Sequence, residues 1–138
     1  MSALNQLFLN GAGRIGRGPF WAGAVVLMAL LALYEAATPP AAQRWTGWLA
    51  DLLLLFAACA VLSKRLHDRG RSGWWAALVI LAFDNVWPSP RGLGWLFAPV
   101  LLAAAVDLGL LPGQSRFNRY GPRPQAAARL RATQKAPA

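Results

Sequence analysis

Residues 45–72 read WTGWLADLLLLFAACAVLSKRLHDRGRS, an apolar run that ends abruptly in a basic segment. The run over 45–63 contains one charged side chain, Asp51, near its start. Its length is close to the roughly 20 apolar residues that a membrane-crossing helix needs. The basic segment 63–72 follows at once, and Lys and Arg beside a transmembrane helix are retained in the cytoplasm. This stretch therefore predicts a transmembrane helix whose C-terminal end is cytoplasmic.

The same apolar pattern recurs three times. Runs with one acidic residue each cover 20–37, 73–87 and 93–111. The chain of 138 residues is 57% hydrophobic and 14% charged, and a small soluble domain could not bury four such runs in one core. We therefore predict an all-α, polytopic membrane protein with a four-helix transmembrane bundle within residues 1–124. Residues 125–138 lack an apolar period and predict a disordered basic tail.

The positive charges predict the orientation of these helices. With both termini in the cytoplasm, twelve of the fourteen Lys and Arg residues lie inside, and only Arg44 and Arg91 lie outside. Without a crossing at 73–87 the division becomes seven against seven, so the charge bias favours that crossing. All seven tryptophans fall near the ends of runs, where the indole ring prefers the headgroup level. An alternative interpretation makes the first run a cleaved signal peptide, which leaves the other three in the same orientation.

Local signals predict where the helices stop and start. Gly70 suits a left-handed stop after the second run, and Ser72 suits an N-cap for the third. Pro99 predicts a kink in the fourth run, which neighbouring helices can tolerate. Ala105 and Gly109 form a pair of small residues at a spacing that lets another helix approach, or that arises by chance in an Ala-rich chain.

The densest polar cluster, residues 65–75, contains the single histidine, His67. A metal site there lacks a second histidine or a suitable cysteine, so no metal is predicted. Acid–base catalysis by His67 would need Asp68 to orient it, but adjacent helical residues point in different directions. Anion binding by guanidinium groups and free helix N–H groups is a third interpretation. The simplest interpretation is a basic loop held at the cytoplasmic leaflet.

Other features predict no cofactor and no nucleic-acid partner. Gly11, Gly13 and Gly16 match a dinucleotide fingerprint, but the segment that follows is an apolar run rather than a strand–helix–strand unit. The net charge of +9 arises from residues flanking apolar runs, and no nucleic-acid-binding motif accompanies it. Cys59 is the only cysteine and cannot form an internal disulfide.

Asp107 lies about one turn from the cytoplasmic end of the fourth run, where a carboxylate should pair or stay protonated. It could form a proton or cation relay, or an ion pair between helices with Arg65 or Arg14 as partner. We favour the ion pair because Glu35 and Asp51 lie near the opposite face, which leaves the centre of the membrane apolar.

Three motifs resemble one known family. The stretches FLNGAGRIGRGPFW (8–21), RLHDRGRSGWW (65–75) and LPGQSRFNRYGP (111–122), in this order between apolar runs, resemble the domain-of-unknown-function 805 family of bacterial inner-membrane proteins. The family's polar positions fall on Arg14, Arg17, Arg65, His67, Asp68, Arg71, Ser72, Asn118 and Gly121. Gly18-Pro19 departs from the family pattern and affects only where the first helix starts. The resemblance implies a multi-pass protein of the bacterial inner (plasma) membrane, with no established activity, substrate or cofactor.

All three motifs fall on the cytoplasmic side, so we predict that they converge on one polar surface. Its predicted members are Arg14, Arg17, Arg65, His67, Asp68, Arg71, Ser72, Asn118 and Arg119. Asp68 would orient an arginine, Trp74 and Trp75 would wall the site against lipid, and Asn118 would tie down the tail. A ligand site and a structural latch both fit this arrangement.

We therefore predict a non-enzymatic protein whose basic cytoplasmic face binds anionic phospholipid headgroups or a protein partner, which includes another copy of the chain. The alternative is an oligomeric small-solute or ion transporter or channel subunit built around Asp107. A membrane-embedded enzyme that uses His67 and Asp68 is the third hypothesis.

Overall fold

The computed structural model describes residues 3–87 and 92–124, and within these residues the chain is helical and contains no β-strand. An isolated bridge joins Asn118 and Gly121. The helices are α1 (Ala3–Phe8), α2 (Arg17–Ala37), α3 (Pro40–Asp68), α4 (Trp75–Val86) and α5 (Ala98–Ala104). A 3₁₀ turn, Gly94–Phe97, precedes α5, and a π-helical segment, Ala105–Leu110, continues it. The predicted disordered tail, 125–138, lies outside the described residues.

Helices α2 and α3 form a long hairpin. They contain 21 and 29 residues, and both are long and apolar enough to cross a membrane. Pro40 occupies the first turn of α3, where the missing N–H costs no hydrogen bond. Across the turn, the hydroxyls of Tyr34 and Thr46 lie 2.8 Å apart. The predicted runs 20–37 and 45–63 thus lie inside these helices, and α3 continues past the apolar run into the basic segment.

Helix α4 and the helical segment Gly94–Leu110, which we call the return helix, form a second, shorter hairpin, in which α4 packs on α3 and the π segment packs on α2. Their positions match the predicted runs 73–87 and 93–111 closely. Pro99 lies in the first turn of α5, directly after the 3₁₀ turn. The sequence predicted that Pro99 would kink a single helix, whereas the structure places it where a 3₁₀ turn changes to an α-helix.

The chain reverses between the hairpins through a helix stop at Gly70, which has a φ of 75°. The N–H of Arg71 donates to the carbonyl of Leu66 at 2.8 Å, and that of Gly70 donates to the carbonyl of His67 at 3.0 Å. This pair of hydrogen bonds is a Schellman motif and confirms the left-handed stop predicted at Gly70. The predicted N-cap at Ser72 is wrong, because a turn over 72–75 comes first and Trp74 occupies that position.

The buried core lies at one end of the hairpins, where α2 begins, α3 ends, α4 begins and the π segment ends. It is formed by Phe20, Val61, Leu66, Ala76 and Leu108. We call this end the motif end and define it by segments 9–17, 63–75 and 105–124, which contain most of the three motifs. The core therefore supports the polar groups of these segments.

Gly109 is the point of closest approach between the π segment and α2. Its carbonyl accepts a hydrogen bond from Trp21 Nε1 at 3.2 Å. A Cβ added at Gly109 would lie 2.6 Å from Trp21 Cζ2, which is closer than two carbon atoms can pack. Of the predicted small pair, Gly109 is the member that lets a helix approach.

We expect Gly109→Ala to lower the free energy of unfolding by about 1–3 kcal/mol, because the added methyl forces the Trp21 ring away from the π segment. The measurement is reversible unfolding in mixed detergent micelles. Gly18→Ala is the matched control: it lies in α2 with open space around its Cβ position, where alanine favours the helix. Equal stability losses in the two variants would show that the contact with Trp21 does not constrain the packing.

Candidate functional site

Asp68, the last residue of α3, binds two arginines at the centre of the motif end. Its Oδ1 accepts hydrogen bonds from Arg14 Nε at 3.0 Å and Arg14 Nη2 at 2.9 Å, and its Oδ2 accepts one from Arg65 Nη1. The side chain of Asp68 is 4% exposed. Arg65 lies one turn earlier on the same helix, whereas Arg14 comes from the segment before α2. Two buried guanidinium groups therefore share one carboxylate, which leaves a net positive charge.

Arg65 also holds the end of the last helical segment. It is fully buried, with 0% of its surface exposed. Its Nε donates to the carbonyl of Leu108 at 2.6 Å, and its Nη2 donates to the carbonyl of Leu111 at 2.7 Å. Carbonyls at a helix end lack intrahelical partners, so Arg65 caps this end with a cation that also suits the helix dipole.

Arg14 and Asn118 bind the segment that follows the last helix. Arg14 Nη1 donates to the carbonyls of Arg116 at 2.9 Å and Gly121 at 3.2 Å. Asn118 Nδ2 donates to the carbonyl of His67 at 2.9 Å, which is the kind of backbone hydrogen bond predicted for Asn118. The first residues after the helix are therefore held against the end of α3.

His67 is held by backbone and by a stacked ring. Its Nδ1 lies 3.2 Å from the carbonyl oxygen of Gly13. Its ring stacks on Tyr120, with ring centroids 3.8 Å apart and an interplanar angle of 8°, and the Arg119 guanidinium lies 4.8 Å from the Tyr120 centroid. Because the carboxylate of Asp68 binds arginines, it is not placed to orient His67 as the enzyme hypothesis requires. Within residues 3–87 and 92–124, no cluster of His, Cys, Asp and Glu could hold a metal ion.

Asp107 forms ion pairs with the loop between the hairpins. Its Oδ1 lies 2.9 Å from Arg69 Nη2, and its Oδ2 lies 3.5 Å from Arg71 Nε. The prediction that Arg65 or Arg14 would be its partner is wrong, because both of those arginines bind Asp68. Arg69 also donates to the carbonyl of Pro112, so it ties the turn after the π segment to the loop.

Sequence reasoning missed the role of Lys64. This side chain is buried, and its Nζ donates to the carbonyls of Gln6 and of Leu7, the latter at 2.8 Å. It therefore caps the C-terminal end of α1, a six-residue helix too short to show a periodic pattern. The available signal was a lysine placed directly after an apolar run.

The remaining predicted members lie at the periphery. Arg17 donates to the carbonyl of Leu110 at 3.0 Å and is otherwise exposed. Arg71 is exposed apart from its pair with Asp107, and Ser72 Oγ is a long 3.5 Å from the N–H of Trp74. Trp74 and Trp75 are exposed and project outward from the cluster.

An open cleft of about 470 Å³ lies between the start of α2 and the turn after the π segment. Arg65 and Asp68 are among its lining residues, together with Arg17, Gly113 and Arg123. A Cβ at Gly113 would overlap the carboxylate of Asp68, so glycine is required where this turn crosses α3. Arg123 forms no hydrogen bond or ion pair with the described residues.

The charge of the motif end is strongly unbalanced. Its three segments contain nine Lys or Arg residues and two carboxylates, Asp68 and Asp107. Both carboxylates already bind arginines. The positive charges of these segments therefore outnumber their carboxylates by seven.

Comparisons with known proteins identify one family and two relatives. A family described as "Protein of unknown function (DUF805)" matches residues 8–122. The chain is 34% identical over 131 residues to the "Uncharacterized protein YiiR" of Escherichia coli (strain K12), covering 86% of this chain and 88% of that protein. It is 35% identical over 74 residues to the "Inner membrane protein YhaH" of the same strain, covering 54% of this chain and 48% of that protein. No solved structure matches.

Proposed function

The chain belongs to the DUF805 family, and we propose that it is an inner-membrane protein whose basic motif end binds the phosphate-bearing headgroup of an anionic phospholipid. The description of the family names no reaction, so the proposal is based on the geometry of this chain. The single observation that carries this proposal is the cleft lined by Arg17 and Arg123, in which the carboxylate of Asp68 already binds Arg14 and Arg65.

The exposed surface of the hairpins supports a membrane location. Only 11% of the most apolar stretch of α2, and likewise of α3, is buried within the protein. Large apolar side chains such as Leu33, Leu53 and Phe56 are exposed, and an apolar surface of this extent is not stable in water. A relative, YhaH, is named an inner membrane protein. We propose four crossings, two per hairpin.

The charge distribution supports a cytoplasmic motif end. Both hairpins begin and end there, and positively charged segments beside transmembrane helices stay on the cytoplasmic side. Arg44 lies at the opposite end, in the first turns of α3. In this arrangement the N-terminus and the segment after the last helix are both cytoplasmic.

The position of the cleft favours a lipid over a soluble anion. It opens at the start of α2, about one turn from Trp21, a residue type that prefers the headgroup level. Guanidinium groups match the oxygens of a phosphate in charge and in geometry. Arg17 uses one hydrogen bond within the protein and Arg123 uses none with the described residues, so both have donors left for a headgroup.

Other proposals from the sequence have less support. Asp107, the residue required by a transporter or channel, binds Arg69 and Arg71, an arrangement that suits packing. A protein partner, self-association and the absence of enzymatic activity remain predictions.

We expect the Arg17→Gln, Arg123→Gln double variant to bind anionic phospholipid roughly 30-fold more weakly, because each arginine near an anionic headgroup contributes about 1 kcal/mol. Native mass spectrometry of the gently extracted protein, titrated with phosphatidylglycerol and with phosphatidylethanolamine, measures the retained lipid.

Arg44→Gln is the control, because it makes the same kind of substitution, with the loss of one positive charge, at the opposite end. It should retain phosphatidylglycerol as the unmodified protein does. Equal retention by the double variant and the control, with both folded, would refute the proposed headgroup site.

A further inference from the structure

Exposed tryptophans flank α4 at both ends. Trp74 and Trp75 lie at its start, and Trp87 follows its last residue, Val86. Trp75 and Trp87 are twelve positions apart, which corresponds to about 18 Å along an α-helix. Since exposed tryptophans settle at the two headgroup levels, the apolar layer that α4 fits is about 18 Å thick.

The return helix gives the same thickness from different residues. Exposed Trp95 marks its outer end, and Asp107, paired with Arg69, marks its end at the motif end. These two residues are also twelve positions apart, again about 18 Å. The sequence between the two helices, Pro-Ser-Pro-Arg over 88–91, is polar and supplies no further apolar length.

The first hairpin extends much further from the motif end. Ser63 Oγ lies 3.5 Å from the carbonyl oxygen of Gly73, so α4 begins beside Ser63. An antiparallel helix of twelve residues that starts there reaches roughly the level of Asp51. Helix α3 continues eleven more positions to Pro40, about 16 Å beyond that level. The exposed tryptophans of α3, Trp45 and Trp48, lie in this additional length.

A bilayer of ordinary thickness would therefore place charge in its centre. The hydrocarbon layer is about 30 Å thick. Asp84, which is exposed, lies nine positions past Trp75, about 14 Å from the motif-end boundary and close to the midplane. A carboxylate there is strongly disfavoured, and a bilayer can instead become thinner beside a short helix.

We infer that the α4 hairpin draws the outer leaflet inward, so that the hydrocarbon beside it is about 18 Å thick. Asp84, three positions before Trp87, then lies within about one helical turn of the outer headgroup level, where its carboxylate reaches water. The inference rests on the membrane location and orientation proposed above. The surface formed by α4 and the return helix thus fits short or disordered acyl chains, whereas the α2–α3 hairpin fits a bilayer closer to ordinary thickness.

Cysteine accessibility tests this inference. In a Cys59→Ala background, single cysteines replace Asp84, Glu35 at the outer end of α2, and Leu78, three positions past Trp75 in α4. A membrane-impermeant maleimide is added outside intact spheroplasts that contain the full chain. We expect cysteine at 84 to react within about threefold of the rate at 35, and cysteine at 78 to react at least about tenfold more slowly.

The outcomes distinguish failure of this inference from failure of the proposed membrane orientation. Reaction at 35 without reaction at 84, until detergent is added, would refute the thinned bilayer and leave the orientation intact. No reaction at 35 from outside would refute the orientation and this inference with it.

A second test compares the unfolding temperature of the unmodified protein in phosphatidylcholine vesicles of increasing acyl-chain length. We expect the highest unfolding temperature in dimyristoleoyl vesicles, a lower one in dioleoyl vesicles and the lowest in dierucoyl vesicles. The reverse order would also refute the thinned bilayer.

Discussion

Asp68→Asn is expected to lower the free energy of unfolding by about 3–5 kcal/mol, because it leaves two buried arginines without a counter-charge. Asparagine has nearly the same shape as aspartate, so the loss reports charge and hydrogen bonding and not packing. Its amide offers one acceptor oxygen where the carboxylate offers two, and the amide N–H₂ group would face a guanidinium donor. The measurement is reversible unfolding in mixed micelles at constant detergent composition.

Asp107→Asn is the matched control, because it also removes a carboxylate that pairs with two arginines. The side chain of Asp107 is 19% exposed, compared with 4% for Asp68. Pairs that solvent reaches contribute about 0–1 kcal/mol, so we expect a much smaller loss. Equal losses in the two variants would show that the burial of Asp68 does not determine its contribution.

A double variant separates the two arms of the Asp68 cluster. Arg14 gives Asp68 Oδ1 both its Nε and its Nη2. Once Asp68 is neutral, Arg14→Gln should cost less than it does in the unmodified protein, because it then removes a charge that has lost its partner. Strictly additive losses would indicate that the two residues are energetically independent.

The helices could largely be predicted from the sequence because each apolar run is uninterrupted and bounded by proline, glycine or basic residues. Gly70 ends α3 as predicted, since only a residue without a Cβ takes that conformation easily. The burial of Lys64 and Arg65 could not be predicted from hydropathy, because both side chains are charged. Their burial depends on carbonyls at the ends of other helices, which lie far away in sequence.

Family membership was also predictable, because the motif over 65–75 is specific and the other two flank it in the family's order, and the match over residues 8–122 confirms it. The pairing of Asp68 with an arginine was predicted, whereas the partner of Asp107 was not predictable. Asp107 could face any of several arginines at the same depth, and the π segment turns it toward Arg69. Side-chain directions on an irregular helix do not follow from a residue count.

The contacts of the motif end divide its arginines into two groups. Arg14 and Arg65 use nearly all their donors to bind Asp68 and backbone carbonyls. They therefore hold the segments of the motif end together, as a structural latch does. Arg17 and Arg123 lie at the rim of the cleft, and within the described residues Arg17 makes one hydrogen bond, to the carbonyl of Leu110. Under the proposed function the inner pair forms a latch and the outer pair binds the headgroup, so variants of the inner pair should be compared by stability and those of the outer pair by lipid retention.

Arg65→Lys is expected to cost about 3–5 kcal/mol even though it keeps the positive charge. Arg65 binds the carbonyls of Leu108 and Leu111 and the carboxylate of Asp68 through three different nitrogens. Lysine ends in a single nitrogen and lacks the planar guanidinium group. At least one buried carbonyl and one carboxylate oxygen would therefore lose a charged hydrogen bond, each worth about 1.5–3 kcal/mol.

Arg71→Lys provides the control for this change, because Arg71 is 53% exposed and touches Asp107 only at 3.5 Å; its expected loss is below about 0.5 kcal/mol. Amide hydrogen exchange adds a local measurement. Arg65→Lys removes the cap on the π segment and keeps the ion pair between Asp107 and Arg69, whereas Asp107→Asn removes the ion pair and keeps the cap. The amides of residues 108–116 should therefore exchange faster in Arg65→Lys than in Asp107→Asn. If Arg65→Lys were as stable as the unmodified protein, positive charge alone would account for the contribution of Arg65 to stability. The geometry of its guanidinium group would then not be needed to hold the motif end together.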